Sequence, residues 1–450
     1  MRILDWNNLD ESARREALRR PHVALDEHHV RLAREVITQV RTEGDAGLRA
    51  LTRRFDGVSV ESFAVTAAEF ADARAALRGE QVAALQRAIA NVQRFHQAQV
   101  LQPFALETEP GVRCEELIRP IETVGLYVQG GNAPLPSSVI MLGVPSRLAG
   151  CPQRFLCTPP QSDGSAHPAV LAAAQLCGIE AVFKLGGAQA IAALAYGTES
   201  IPKVGKIFGP GNAYVTAAKQ LVASDPAGAA CDLPAGPSEV LVLADDSARA
   251  EFVIADLLAQ AEHDPLAQAI LVTISPTLAE KVSTSLVLQR VELKRQGILA
   301  QSLAACRTIL VPDLATGVSI VNAYAPEHLI LQVRDPRRWL GGIQNAGSVF
   351  LGSWSPETLG DYCSGTNHVL PTYGHARTMG GLSVRDFVKT IQVQEVTPAG
   401  LRALAPTAIT LAELEGLDGH AQAIARRVSR LETDDLSESE RLELPVGVYR

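Results

Sequence analysis

The chain has 450 residues, of which 47% are hydrophobic and 20% charged, a composition typical of a soluble globular protein of roughly three domains. Its formal charge of −8 excludes a non-specific nucleic-acid binder, which needs a basic surface to displace counterions. Every apolar stretch is broken by Gly, Pro or a charge before it reaches about 18 residues, so no membrane span is expected. The N-terminus lacks the apolar core of a signal peptide, and we therefore expect a cytoplasmic protein.

The seven cysteines are scattered along the chain without CxxC or CxxxC spacing. An odd number of dispersed cysteines in a long chain is typical of reduced thiols and not of a disulfide framework. The same spacing disfavours a zinc site built from cysteines.

The N-terminal segment, which we bound at residues 1–105, is predicted to be helical. Residues 27–42 and 81–99 place apolar side chains at three- and four-residue spacing with charges between them. Neither helix carries a chemical motif. We therefore expect this segment to be scaffold that packs on the second of two α/β domains.

From Val112 onward, short apolar strands alternate with helix-length segments, which predicts βα units and a parallel, helix-flanked sheet. The pattern then restarts, so the sequence predicts two successive α/β domains, at residues 106–236 and 237–380. The predicted strands are 123–128, 154–158, 181–184 and 203–207 in the first domain, and 239–243, 268–274, 307–311, 328–333 and 348–351 in the second. The sheet rhythm stops near Gly381, where a tail (381–450) begins that contains a charged helix at 411–431.

Four glycine-containing loops stand between predicted strands and helices. Glycine lets the backbone approach a ligand closely, and a following helix N-terminus favours anions. We expect all four loops at the carboxyl ends of the strands, where open α/β sheets bind ligands. No GxGxxG is present and each loop alone also fits a tight turn, but four in sequence favour a ligand crevice. They are Gln129-Gly130-Gly131-Asn132, Leu185-Gly186-Gly187-Ala188-Gln189, Gly209-Pro210-Gly211-Asn212 and Ala235-Gly236-Pro237-Ser238.

An adjacent carboxylate and imidazole, Glu327 and His328, stand where a loop enters an apolar, strand-like run. Pro326 cannot donate a ladder hydrogen bond and biases Ala325 away from helix, so the pair is expected at the edge of a strand. Glu and His are the side chains most easily tuned to exchange protons near neutral pH. By itself the pair also fits a solvated strand end.

Two other polar groups are candidates for a site. Gln260 and His263 lie three residues apart, on one face of a predicted helix, and His is a common zinc ligand. A polar helix end stopped by Pro265 explains that pair equally well. Asp361 and His368 lie in a stretch rich in Gly, Ser, Thr and Asn, which is typical of a site positioned by a scaffold.

Glu415 and His420 lie five residues apart in the predicted tail helix. Five steps of a continuous helix turn the side chains by roughly 140°, so the two would not share a face. A common site therefore requires a break, which Gly416 or Gly419 can provide, and the spacing alone favours a surface histidine at position 420.

With these motifs assembled, the chain resembles the histidinol dehydrogenase family, whose members catalyse the last two oxidations of histidine biosynthesis. The resemblance covers most of residues 110–430 in family order. One departure is Gln129, where the family has Pro before the glycine pair. The matching segments are 130–131 with 136–139, 186–198, 209–212, 234–240, 260–264, 326–329, 360–362 and 367–372.

The resemblance implies an α/β fold with two Rossmann-like parallel-sheet domains that lack GxGxxG, a helical N-terminal segment and a C-terminal helical tail exchanged in an intertwined homodimer. It also implies an NAD- and zinc-dependent oxidoreductase that converts L-histidinol to L-histidine through L-histidinaldehyde. The expected partners are this small-molecule substrate and a second copy of the chain, with no nucleic acid and no membrane.

Family roles carry over to matching positions of this sequence. The acid–base pair matches Glu327 and His328. The zinc ligands match Gln260, His263, Asp361 and His420, the last supplied to the partner's site. Substrate contacts match Ser238, His368 and Glu415, together with His328 and the four metal ligands. The NAD contacts match Tyr127, Gln189 and Asn212.

Three alternatives stay open at this point. The first is a relative of the same fold that oxidises another polar alcohol, such as a sulfonated diol. The second is a zinc hydrolase in which Glu327 activates water, although the chain lacks a short HExxH-type ligand run. The third is a non-catalytic ligand-binding or scaffold protein, which would not need so many acid–base groups on loops.

Overall fold

The computed structural model describes residues 1–21, 27–130, 134–233 and 236–434. Parts of two predicted glycine loops, Gly131, Asn132 and Ala235, lie outside the described residues. The chain divides into two compact units. The first comprises Met1–Val100 and Pro120–Val388, and the second comprises Leu101–Arg119 and the described residues from Lys389 onward.

The N-terminal segment contains a strand and four helices. In the long helix α2 the buried residues Ala33, Val36, Ile37 and Val40 follow the three- and four-residue spacing that the sequence predicts for an amphipathic helix. The bounds are β1 Arg2–Asp5, α1 Glu11–Ala17, α2 Glu27–Asp56, α3 Ala67–Ala76 and α4 Gly79–Gln97.

Next come two antiparallel strands and then the first βα repeat. The bounds are β2 Phe104–Glu109, β3 Val112–Pro120, β4 Thr123–Tyr127, α5 Pro136–Leu148, β5 Gln153–Thr158, α6 Pro168–Leu176, β6 Ala181–Lys184, α7 Gly187–Tyr196, β7 Lys206–Phe208, α8 Ala213–Ser224 and β8 Ala230–Cys231.

A second βα repeat follows, and the last elements in the described part of the chain are a strand and two helices. The bounds are β9 Glu239–Ala244, α9 Ala250–Ala261, β10 Gln268–Thr273, α10 Pro276–Gln289, α11 Gln296–Ala305, β11 Arg307–Leu310, α12 Leu314–Tyr324, β12 His328–Gln332, α13 Pro336–Trp339, β13 Ser348–Leu351, α14 Glu357–Tyr362, β14 Val388–Val396, α15 Pro398–Leu414 and α16 Asp418–Asp434.

Both repeats form parallel sheets with the same topology. The first sheet has the order β6-β5-β4-β7-β8, and the second has β11-β10-β9-β12-β13 with β1 added beyond β11. Numbered within each repeat, both orders read 3-2-1-4-5, the doubly wound arrangement of Rossmann-like domains. The prediction of two successive Rossmann-like α/β repeats is therefore confirmed.

Each sheet is buried on both faces, as parallel sheets with helices on either side require. In β9, Val240 and Val242 belong to one core cluster, whereas Leu241 and Leu243 belong to the cluster on the other face. This explains why the predicted strands read as continuous apolar runs. All nine are present, and the largest shift is at β7, which was predicted from residue 203 and begins at Lys206.

The structure corrects the expected packing of the N-terminal segment. Helices α2, α3 and α4 pack on helices of the first α/β repeat, where α2 contacts α7 and α8. Only the start of the chain belongs to the second repeat, through β1 and its pairing with β11. The apolar face of a scaffold helix does not specify which of two similar sheets it covers, so the sequence left this choice open.

The expected end of strand structure near Gly381 is also wrong. Residues Val388–Val396 form β14, which joins β3 and β2 in a three-stranded sheet. Most residues of β2 and β14 are exposed, so they carry little of the hydrophobic pattern that reveals a strand. The predicted tail helix is two helices, because Gly416 adopts a left-handed conformation (φ 68°) between α15 and α16.

No helix in the part of the chain that the structure describes is both long and apolar enough to cross a membrane. All seven cysteines lie within the described ranges and are free thiols.

Candidate active site

The turn that joins α12 to β12 carries Glu327 and His328. Ala325 ends the helix in the left-handed region (φ 55°, ψ 67°), and its N–H donates to the carbonyl of Val321 at 2.7 Å. Such a conformation in a residue other than glycine costs roughly 1 kcal/mol or more and persists where its surroundings fix it. Pro326 then directs the chain into the strand, so Glu327 and His328 lie at the start of β12, as Pro326 led us to expect.

Arg20 holds this turn in place from the N-terminal segment. Its Nε donates to Glu239 Oε2 at 2.6 Å, and its Nη2 donates to the carbonyl of Tyr324 at 2.8 Å and to that of Ala325 at 3.2 Å. The guanidinium also lies 3.9 Å from the centroid of the Tyr324 ring. A half-buried arginine with this many partners rigidifies its surroundings. No sequence motif pointed to Arg20.

The first residue of β9, Glu239, orients both Glu327 and His328 through its backbone. Its N–H donates to Glu327 Oε2 at 2.9 Å, and its carbonyl lies 3.2 Å from His328 Nδ1. Because a carbonyl only accepts, Nδ1 of His328 carries the proton and Nε2 presents a lone pair. That Nε2 is buried and has no hydrogen-bond partner among the described residues.

The site therefore lies at the amino ends of β9 and β12. This corrects the expectation that all four glycine loops lie at the carboxyl ends of strands. The described part of the fourth loop, which ends at Ser238, leads into β9 at its amino end. Helix α9 runs back along the sheet, so Gln260 in its last turn and His263, two residues beyond its end, reach this same end.

Two carboxylates from α14 complete a polar cluster around His328. Asp361 Oδ1 lies 3.6 Å from His328 Nε2, and Glu357 Oε1 lies 3.6 Å from His328 Nδ1. One atom from each of the three side chains lies within 4.8 Å of the others, a grouping able to hold a metal ion. The side-chain Oε1 and Nε2 of Gln260 are both fully buried and have no hydrogen-bond partner in the described part of the chain.

Glu357 is a site residue that the sequence analysis missed. Its position in the first turn of a short helix after Pro356 fits an ordinary helix start. The available signal was its spacing of four residues from Asp361, which places both carboxylates on one helix face.

Burial sets the protonation of the histidines in this cluster. It lowers the pKa of His328 to about 3, with the neighbouring His263 and His368 imidazoles contributing in the same direction. It also lowers the pKa of His368 to about 4. His328 is consequently neutral at physiological pH, as an acceptor of protons must be.

The carboxyl groups shift in the opposite direction. Burial raises the pKa of Asp361 to about 7 and holds the pKa of Glu327 and Glu357 well above their usual range, where the neighbouring carboxylates raise them further. Among the described residues, none of these three acids is paired with Lys or Arg. A bound cation is the group that would stabilise their charged forms.

Asp256 on α9 is a further buried acid, hydrogen-bonded to Gln332 Nε2 at 3.0 Å. Burial raises its pKa from 3.8 to about 6. The protonated carboxyl of Asp256 therefore makes its full contribution to the free energy of unfolding below pH 3.8, and this contribution is lost as the pH rises through 6. Asp256→Asn is expected to increase the free energy of unfolding by about 3 kcal/mol at pH 7.5 and by about half of that at pH 5.

Urea denaturation of the variant and the wild type at both pH values measures this difference. The exposed Asp72 on α3 provides the control, since Asp72→Asn should leave the free energy of unfolding unchanged. A gain of equal size at both pH values would contradict the explanation.

His368 is held by the backbone of Asp361. Its Nδ1 donates to the backbone carbonyl of Asp361 at 2.7 Å, so its Nε2 is free to accept the hydroxyl of Ser138, 3.3 Å away. Ser138 belongs to α5 of the first repeat, and His368 to the segment after the second. This hydrogen bond links the two repeats next to the polar cluster.

The first repeat contains a cavity of about 620 Å³, within the range of roughly 300–1,000 Å³ that is usual for ligand pockets. It opens at the carboxyl ends of β4, β5, β6 and β7. Tyr127, Gln189 and Asn212, the three residues that the family resemblance assigns to NAD, all line it. Inside, the Tyr127 hydroxyl accepts the N–H of Gly187 at 3.1 Å, which fixes the start of α7.

The structure thus brings most of the predicted site residues together, at two places in the first unit. Asp361 lies 3.6 Å from His328, the His263 and His368 imidazoles are near enough to lower the pKa of His328, and Ser238 directly precedes Glu239. Gln260 is buried near the end of α9, at the same end of the sheet. Two predicted residues belong instead to the second unit, where both are exposed: Glu415 follows the end of α15 and His420 lies in α16.

Comparisons with known proteins test the family resemblance. The family model of histidinol dehydrogenase matches residues 19–428. The histidinol dehydrogenase of Xanthomonas euvesicatoria pv. vesicatoria is 55% identical over 428 residues, which cover 95% of this chain and 99% of that protein. The histidinol dehydrogenase of Aliivibrio fischeri is 50% identical over 440 residues, covering 98% and 99%.

A solved structure agrees with the sequence comparisons. The crystal structure of histidinol dehydrogenase from Elizabethkingia anophelis superimposes with a TM-score of 0.92 at 41% identity, covering 96% of this chain and 99% of that chain. At this identity and coverage, the similarity extends to the whole α/β architecture and is not limited to a shared motif. The chain therefore belongs to the histidinol dehydrogenase family of oxidoreductases.

Proposed function

We propose that this chain catalyses the NAD- and zinc-dependent four-electron oxidation of L-histidinol to L-histidine through L-histidinaldehyde, as a cytoplasmic homodimer in histidine biosynthesis. The observation that carries the proposal is the arrangement of His328. Its Nδ1 is bonded to the carbonyl of Glu239, so an unprotonated Nε2 faces Asp361 beside the buried Glu327. This is a proton acceptor held next to a second acid–base group, as two successive oxidations require.

The donor set fits a zinc ion. The side-chain amide of Gln260 is buried and has no hydrogen-bond partner among the described residues. Asp361 lies beside Glu357 and His328, and no Lys or Arg among the described residues neutralises the two carboxyl groups. The proposed ligands are Gln260, His263, Asp361 and His420 of the partner subunit. Zinc, when bound, supplies positive charge that orients the imidazole and amine of the substrate.

The cavity in the first repeat fits NAD. The N-terminus of α7 opens into it at Gly187, and a helix N-terminus favours a pyrophosphate group. Tyr127, Gln189 and Asn212 are the proposed contacts. NAD, when bound, accepts hydride, while the protein contributes position and proton control.

In the first oxidation, His328 Nε2 accepts the hydroxyl proton of histidinol as hydride leaves the carbinol carbon. In the second, Glu327 takes a proton from the water that adds to the aldehyde carbon, while His328 returns its proton to the carbonyl oxygen and so completes the hydrate. His328, neutral again, then accepts a hydroxyl proton of the hydrate as the second hydride leaves. Ser238, His368 and the partner subunit's Glu415 are the remaining proposed substrate contacts.

A homodimer is supported by the second unit. Leu411, Leu414 and Leu417 expose 55%, 78% and 39% of their surface, close in sequence to Glu415 and His420. Clustered exposed leucines are typical of a protein–protein interface. The tail that carries two of the predicted site residues therefore also offers a surface for a second copy.

The yield of NADH per histidinol consumed tests the proposed reaction. Two molecules of NADH per histidinol are expected, with the yield lost after zinc is removed by a chelator and restored when zinc is added back. A yield of one would indicate a dehydrogenase that stops at the aldehyde, as a relative specific for another alcohol would. No NADH at all would favour a hydrolase or a binding protein.

A further inference from the structure

The cavity in the first repeat has an unusual source of negative charge. Doubly wound dinucleotide sites place an acidic residue about 20 residues after the first glycine loop, where it binds the ribose 2′-hydroxyl. In this topology that residue belongs at the end of β5, the second strand of the repeat. Here β5 ends at Thr158 and is followed by Pro159-Pro160-Gln161-Ser162; this stretch contains no acid, although all five residues line the cavity.

The next acid in the sequence, Asp163, forms its hydrogen bonds with Ser165 outside the cavity. Its Oδ1 accepts the N–H of Ser165 at 2.9 Å and the hydroxyl of Ser165 at 2.7 Å, in an exposed turn. It does not line the cavity in the described part of the chain. The end of β5, where dinucleotide sites usually carry the ribose-binding acid, therefore contributes no acidic residue to this cavity.

Asp56, the last residue of α2, supplies a carboxylate to the same cavity. It is the only acidic side chain among the described lining residues. Gln189 Nε2 donates to its Oδ2 at 3.2 Å, and Gln189 is itself a proposed NAD contact at the start of α7. This contact holds one carboxylate oxygen beside the start of α7, in a cavity that the residues at and after the end of β5 also line.

The cavity also lacks the group that NADP requires. A 2′-phosphate is normally accommodated by arginine, and no Lys or Arg occurs among the cavity residues that the structure describes. A phosphate placed beside Asp56 would meet a like charge instead of a basic partner.

We propose that Asp56 binds the ribose hydroxyls of the adenosine half of NAD and makes the cavity selective for NAD over NADP. The inference rests on the proposed function, since it assigns a residue to cofactor choice at the same site. The N-terminal helical segment, which the sequence analysis considered scaffold, thereby completes the cofactor site. A carboxylate that accepts two hydroxyl groups favours the ribose of NAD, whereas the same charge repels the phosphate of NADP.

Direct binding tests the proposal without relying on catalysis. Calorimetric titration of the zinc-loaded full chain with NAD and with NADP gives both dissociation constants. Asp56→Asn is nearly isosteric and keeps an acceptor for Gln189. It is expected to weaken NAD binding about 10-fold or more, the usual effect of losing a charged hydrogen bond. NADP binding should be unchanged or tighter, so the ratio of the two constants falls by at least the same factor.

Three further variants separate recognition from structure. Asp56→Glu retains the charge and should keep the preference for NAD, whereas Asp56→Ser should reproduce the loss seen with asparagine. The matched control is Asp163→Asn, which alters the acid nearest the usual position and should leave both constants unchanged. Circular dichroism and urea denaturation establish that each variant folds.

Three results would overturn the assignment. The first is an equal loss of NAD and NADP affinity in Asp56→Asn and Asp56→Ser, which indicates a structural role. The second is unchanged affinity for both dinucleotides in these variants, and the third is a changed ratio in Asp163→Asn. If the wild type binds neither dinucleotide, the proposed function fails as well, which distinguishes that failure from a wrong choice of residue.

Discussion

Replacing Glu327 with glutamine is expected to reduce oxidation of histidinaldehyde by about 100- to 10,000-fold, the range found when a general base is removed. The amide has almost the same shape and still accepts the N–H of Glu239 through its oxygen, so the turn before β12 should stay intact. What it lacks is the ability to take a proton from water. Since burial holds the pKa of Glu327 well above its usual range, wild-type aldehyde oxidation should increase with pH, and this dependence should disappear in the variant.

Single-turnover assays with histidinaldehyde and NAD measure this effect, with zinc content determined in parallel. Zinc content should equal that of the wild type, because Glu327 is not a proposed ligand. Glu280→Gln on the exposed face of α10 is the matched control and should retain full activity. Unchanged aldehyde oxidation in Glu327→Gln would refute the assigned role, and loss of zinc would show that the variant disrupts the metal site instead.

Mixing two inactive variants should restore activity if the tail is exchanged between subunits. His420→Asn is expected to lower zinc occupancy and activity strongly, because one of four proposed ligands is lost. In a heterodimer of Glu327→Gln and His420→Asn chains, one site combines both defects. The other site combines an intact Glu327 with an intact His420 of the partner subunit.

After joint unfolding and refolding of equal amounts, random pairing makes half of the dimers mixed, so about a quarter of the sites should be intact. Aldehyde oxidation and bound zinc should rise together toward that fraction, whereas each variant refolded alone should stay inactive. A mixture that remains as inactive as its components would show that His420 serves its own chain's site or none. Full zinc retention by His420→Asn after dialysis against a chelator would remove it from the ligand set.

The parallel-sheet architecture was predictable because strands buried on both faces read as continuous apolar runs between helices. The bounds of β6 and β13 agree with those predicted from the sequence alone. The same reasoning failed for β2 and β14, whose exposed surfaces carry little hydrophobic pattern, and for the packing of α2, whose apolar face fits either sheet. A pattern identifies an element that is buried, but it does not identify what buries it.

Some residues of the candidate site were likewise predictable from local sequence, and others were not. Pro326, Glu327 and His328 are adjacent in the sequence, so their place at the start of a strand followed from local rules. The roles of Gln260, Asp361 and His420 came from the family resemblance, because these residues are separated by long stretches and their spacing carries little information. Glu357 escaped notice because a glutamate after proline is the ordinary start of a helix.

What the sequence by itself determined is the order of the βα units and the place of Glu327 and His328 at the start of a strand, since both depend on neighbouring residues. Only the tertiary structure decided that this pair meets Glu239 at the amino end of β9, because that depends on the parallel pairing of β12 with β9. The tertiary structure also decided that Arg20 fixes the turn at Tyr324 and that Asp56 enters the cavity of the first repeat. Both contacts join residues more than a hundred positions apart, and contacts at such separation are set by how the elements pack and not by any pattern within them.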